Sequence, residues 1–142
     1  MKIARLFLAI TLFIPFLSCN AQSPKKEVKT SDNNSDKIEA YYFHFTARCI
    51  TCRTIEAKAK ENLEDLYPNQ IKQGMITFQS VNLEEASSKP LAEKLGVSGQ
   101  TLLLVKGDQK INLTNEGFMY AVAKPEKFKE IINEKVDGLL IK

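Results

Sequence analysis

The sequence predicts an α/β domain of order βαβαββα, a mixed central sheet with helices on both faces. Three observations predict it. The aromatic-rich run Ile38 to Phe45 is followed by Ile55, Ala59, Leu63 and Leu66 at helical spacing, a strand and then a crossover helix. The apolar run Thr101 to Val105 is returned by Lys106-Gly107-Asp108 into Lys110 to Thr114, which makes the late part of the sheet antiparallel. A final stripe of Phe128, Ile131, Ile132, Val136 and Leu139 supplies a closing helix.

Each element has its own signal. The middle of Ile38 to Phe45 is apolar at successive positions, as in a strand buried on both faces. The first helical pattern opens after Cys52 and stops at Pro68 and Asn69. Met75 to Val81 is the second strand, with Ile76, Phe78 and Val81 inward. Ser87 or Ser88 caps a short helix that carries Leu91 and Leu95 and ends at Gly96. Pro125 suits the first turn of the closing helix, where its missing N–H is no loss. Between hairpin and closing helix, Thr114 to Lys124 is too apolar for a free loop. Phe118, Met119 and Tyr120 there either cover the end of the core or line a hydrophobic partner or aromatic-substrate surface.

The chemistry-bearing motif is Cys49-Ile50-Thr51-Cys52, placed where the first strand hands over to the first helix. Two thiols one turn apart can close into a disulfide and reopen. The partial positive charge of a helix N-terminus stabilises the thiolate, the form that attacks disulfides and binds soft metals. Outside the cytosol a cysteine pair is by default structural. A loop of two intervening residues, however, constrains the unfolded chain little, so the spacing favours a working dithiol over a staple. Cys49 is expected to be the exposed nucleophile and Cys52 the enclosed resolving thiol, with Arg48 and Arg53 adding positive charge beside them.

The chain begins with a targeting pattern. Lys2 and Arg5 precede Leu6 to Leu17, an apolar run interrupted only by Thr11 and Pro15. A membrane span needs about 20 apolar residues, so the run reads as a secretory signal over residues 1–18. Phe16-Leu17-Ser18-Cys19 resembles a bacterial lipobox, with Phe16 where Leu is usual, and makes Cys19 the lipid-bearing residue. The alternative is cleavage after Ala21, giving a soluble periplasmic or secreted protein. Lipidation is preferred because it gives the third, unpaired cysteine a purpose. Residues 19–37 are rich in Ser, Asn, Lys and Asp without apolar periodicity, a flexible tether. Residues 38–142 form one domain with 14 Lys and Arg against 14 Asp and Glu, so the overall charge of +3 lies in the leader and tether. A neutral domain offers neither a nucleic-acid groove nor a polybasic membrane patch.

The order βαβαββα with C-x-x-C after the first strand resembles the thioredoxin fold in trimmed form, and Leu95 to Val105 resembles the stretch that leads into its active-site-facing strand. More closely, Tyr42 to Cys52, Val97-Ser-Gly-Gln-Thr-Leu102 and Leu113-Thr-Asn-Glu116 are similar to a small bacterial family, the nitrophenyl compound nitroreductase subunit ArsF, over essentially the whole domain. Two departures from thioredoxins stand out. Gln100 occupies the place of their cis-proline before Thr101, and a cis bond there would cost about 2.5–4 kcal/mol, so a trans Gly99–Gln100 peptide is expected. The Gln100 amide is then placed to bond a thiolate, or leaves room for a ligand. Their buried acid, six residues before the first cysteine, is replaced by Phe43.

Two further side chains have open readings. His44, the single histidine, is a proton shuttle or third metal ligand if it points to the C-terminal end of the sheet, and otherwise a strand histidine satisfied by backbone. Glu56, four residues after Cys52, either replaces the missing acid or forms an exposed pair with Lys60; the pair is preferred. Two cysteines and one histidine are too few for a closed zinc site of thiolates and imidazoles. The resulting expectation is a thiol–disulfide redox protein in the bacterial cell envelope, lipid-anchored through Cys19 and facing the periplasm. It would meet a redox partner through a transient mixed disulfide. No flavin or nicotinamide motif is present, so no cofactor is expected. The resemblance implies a relay subunit in nitro-group reduction of aromatic compounds. The rival reading is a soft-ion binder that holds copper(I) or arsenite between Cys49 and Cys52.

Overall fold

The structure, a computed structural model, describes residues 36–141. The signal, Cys19 and all of the tether before Asp36 lie outside the described residues.

Four strands form one sheet in the order β2-β1-β3-β4: β1 (Ile38–His44), β2 (Ile76–Asn82), β3 (Thr101–Lys106) and β4 (Gln109–Asn112). β1 runs parallel to β2, with Ile38 opposite Ile76, and antiparallel to β3, with Phe43 opposite Thr101. β3 and β4 are an antiparallel hairpin closed by Gly107-Asp108, with Gly107 at φ 56. The helices are α1 (Ile50–Leu66), α2 (Pro68–Lys72), α3 (Lys89–Leu95), α4 (Thr114–Tyr120) and α5 (Pro125–Leu140), with a 3-10 turn at Ala86–Ser88 before α3.

The alternation of side chains along β1 divides the core. Ile38, Ala40 and Tyr42 join Ile76, Leu102 and Leu104 under Ile55, Ala59 and Leu63 of α1 and Phe128, Ile132, Val136 and Leu139 of α5. Tyr41 and Phe43 join Val81, Leu103 and Val105 on the other face, under Ala92, Leu91 and Leu95 of α3. Both faces of β1 are therefore covered, which is why its sequence is apolar at successive positions. Ile76 and Phe78 serve the α1 side and Val81 the α3 side, because an odd offset along a strand reverses the face. The fold is a mixed sheet with helices on both faces, as expected.

The differences are local. Pro68 ends α1 but also opens α2, since a proline at the first helical position loses no hydrogen bond. β2 runs one residue later than expected. Ser88 stands at the α3 N-cap position without a side-chain capping bond. β4 stops at Asn112 because the Thr114 hydroxyl accepts the Leu102 N–H at 2.9 Å, in place of a main-chain carbonyl. Thr114–Tyr120 is helical rather than a covering loop. Tyr120 packs on the core, while Phe118 and Met119 face outward.

Three buried phenols make the fold sensitive to alkali. Burial raises the pKa of Tyr41, with Glu39 adding to it, burial raises Tyr42, and burial raises Tyr67, whose hydroxyl also bonds Asp137 at 2.8 Å. An unfolded tyrosine ionises near pH 10, so stability from these groups is intact below about pH 10 and is lost as pH rises towards their folded values. The urea midpoint should fall above about pH 10, each phenol contributing up to ~1.4 kcal/mol per pH unit. Phenolate absorbance should rise together with unfolding. Ionisation that precedes unfolding, with an unchanged midpoint, would contradict this.

Candidate functional site

The disulfide is built by the start of α1. Cys49 is its N-cap residue, with extended backbone at φ −71 and ψ 166, and Cys49 Sγ accepts the Cys52 N–H at 3.2 Å. The first helical hydrogen bond runs from the Arg53 N–H to the Cys49 carbonyl. Cys49 and Cys52 are joined, with Cα atoms 5.2 Å apart. Cys49 is exposed, whereas Cys52 is only 6% exposed. The first turn of α1 carries no acidic residue. After reduction, a negative sulfur on Cys49 would meet an N–H donor and the positive end of a 17-residue helix, with no nearby carboxylate in that turn to oppose it. Ile50, next to the reachable sulfur, is 83% exposed.

Beneath Cys52 lies a group that the sequence reading did not single out. Tyr42, 1% exposed, donates its hydroxyl hydrogen to the Cys52 carbonyl at 2.7 Å and accepts a hydrogen bond from the Gln100 side-chain amide. Gln100 is thus turned inward onto the tyrosine, rather than standing free beside the sulfurs. The described residues contain no cis peptide, so Gly99–Gln100 is trans. Thr101 next to it donates its hydroxyl hydrogen to the Gly99 carbonyl at 3.0 Å. The available signal for Tyr42 was its parity. It shares a face with Ile38 and Ala40 under α1, where a buried phenol needs a polar partner.

The charged neighbours are arranged differently from expectation. Arg48 pairs with Glu56, both partly buried, so Glu56 does not pair with Lys60, which instead reaches Glu64 at 3.8 Å. Arg48 stands just before the helix, outside its regular turns, and reaches Glu56 eight residues on. Arg53 is exposed and makes no ion pair among the described residues. His44 is buried. Its Nδ1 lies 2.9 Å from the Phe45 carbonyl and its Nε2 2.9 Å from Ser80 Oγ. A carbonyl only accepts, so Nδ1 carries a hydrogen, and Nε2 shares a hydrogen bond with the Ser80 hydroxyl. Both nitrogens are occupied, one by backbone and the other by a side chain, where satisfaction by backbone was the alternative expected. His44 lines a cleft of about 310 Å³ at the β2 edge with Ser80, Asn82, Glu85 and Leu91. The lining contains neither cysteine.

The sheet order, the antiparallel β1–β3 pairing and the cysteine pair capping the first helix decide the fold class. The fold is thioredoxin-like. Among solved structures, oxidised thioredoxin O2 from Arabidopsis thaliana is 23% identical, with 70% of this chain and 75% of that chain covered at a TM-score of 0.45. A structure described only as that of a malarial protein is also 23% identical, covering 52% and 74% at a TM-score of 0.37. No protein-family model and no curated protein matches the chain.

Proposed function

We propose that this is an exported, membrane-tethered thiol–disulfide redox protein whose Cys49–Cys52 pair relays two electrons to or from a partner protein. One observation carries the reading: a reachable sulfur at the N-cap of α1, bonded to a shielded sulfur one turn on. In the reducing direction, Cys49 thiolate attacks a partner disulfide and Cys52 then displaces the partner, which leaves with two electrons, one proton given up by Cys52 and one taken from solvent. The exposed Ile50 gives a partner an apolar contact beside that sulfur. The lipobox-like Phe16 to Cys19 supports an anchor, and with it a location in the bacterial envelope facing the periplasm. The similarity to the nitrophenyl compound nitroreductase subunit ArsF family supports an end use in nitro-group reduction, with this chain as relay subunit.

Equilibration in glutathione or dithiothreitol buffers of graded ratio tests the reading. One reversible transition is expected, with a two-electron slope of about 30 mV per tenfold change, together with exchange with small disulfides. A pair that does not reoxidise, and does not exchange, would exclude it. Tight stoichiometric uptake of copper(I) or arsenite by such a pair would support the soft-ion alternative. Among the described residues no group of three His, Cys, Asp or Glu side chains is placed to share a metal, so the ion would rest on the two sulfurs alone.

A further inference from the structure

We propose that Tyr42 is a positioning residue for the resolving cysteine, with Gln100 as the group that orients its hydroxyl. The assignment rests on the redox reading above and goes beyond it in separating the two chemical steps. One hydroxyl ties three elements together: it stands on β1, donates to the Cys52 carbonyl in the first turn of α1, and accepts from Gln100 in the loop before β3. All of this takes place at a phenol that is 1% exposed, where water does not compete for the bonds. A Tyr hydroxyl has a single hydrogen. Because the Gln100 amide only donates through Nε2, the phenol hydrogen is left for the Cys52 carbonyl. The main chain of Cys52 is therefore fixed against the sheet, whereas Cys49 is held only by the N-cap geometry of an exposed residue.

The two sulfurs thus depend differently on Tyr42. First attack forms a bond from Cys49 Sγ to a substrate sulfur and expels one substrate thiolate, a reaction at the exposed end of the site. In the second step Cys52 loses its proton to solvent and attacks Cys49 Sγ. The Cys49–substrate S–S bond breaks, the Cys49–Cys52 bond forms, and the second substrate thiolate leaves. Atoms and electrons balance without another reactant. That step needs Cys52 in line with a bond it can no longer lean on, and a misplacement of about 1 Å can cost up to about 10²-fold in rate.

The test uses reduced protein and dithiobis-nitrobenzoate, a symmetric aryl disulfide whose two thiolates are released one per step and absorb visibly. Tyr42→Phe keeps the ring and removes the hydroxyl. The ratio of the second rate to the first is expected to fall about tenfold. Gln100→Met, at the rim and outside the core, should lower the same ratio by removing the donor, and keeps the test available if Tyr42→Phe does not fold. An unchanged ratio in folded variants, or equal slowing of both steps as general loosening would give, overturns the assignment while leaving the redox reading intact. A wild-type protein that releases no thiolate at all would overturn both.

Discussion

Cys52→Ser is expected to trap the protein as a long-lived mixed disulfide, and Cys49→Ser to abolish exchange. The asymmetry follows from burial. Cys49 is exposed and Cys52 is 6% exposed, so an incoming disulfide reaches only the Cys49 sulfur. Without Cys49 the remaining thiol is shielded and also loses the partner that its helix turn holds at 5.2 Å between Cα atoms. Without Cys52 the first attack proceeds, but release must await an external thiol. Even an effective concentration of about 1 M, far below the roughly 10⁵ M that well-oriented groups can reach, means that release should slow by at least about 10³-fold in millimolar external thiol. Trapping from cell-envelope extracts with Cys52→Ser, followed by mass spectrometry of the captured chain, would identify the partner. Equal trapping by both single variants would mean that the two sulfurs are alike in reach, against the burial seen here.

The cysteine pair was legible because its meaning is local: two thiols at a fixed spacing, at a strand-to-helix junction. β1 and α5 were legible for a similar reason, since each carries its burial pattern in its own sequence. The support of the site was not. Arg48 lies outside α1 and meets Glu56 within it, and Tyr42 reaches Gln100 fifty-eight positions away because β1 and β3 are neighbours. Gln100 could be flagged by the proline it replaces, but the destination of its amide depends on that strand pairing. His44 shows the same limit. Its fate turned on Ser80, which the parallel β1–β2 register brings within reach on the neighbouring strand, two positions before Asn82 opposite His44. α4 escaped because Thr114, Asn115 and Gly117 are weak helix formers, and its helicity is imposed by what it packs on.

Gly117→Val is expected to destabilise the domain by about 2 kcal/mol or more, although valine is intrinsically the better helix residue by a few tenths of a kcal/mol. A Cβ at Gly117 would lie 2.8 Å from Ile55 Cγ2, and Ile55 is buried to 1% within α1. The β-branched Ile55 side chain has little rotameric freedom in a helix, so it cannot swing away, and the two helices must separate. Separation would also draw the Thr114 hydroxyl from the Leu102 N–H at the start of β3, beside Gln100 and Thr101. Faster amide exchange at Leu102 should therefore accompany the lost stability. Removing the obstruction provides the control: Ile55→Ala alone leaves a cavity and costs about 2–5 kcal/mol, but the double variant should be more stable than the sum of the two losses by about 0.5–3 kcal/mol. Strict additivity in urea denaturation would mean that α4 does not seat on α1 through this contact. Its position beside the redox site would then need another cause.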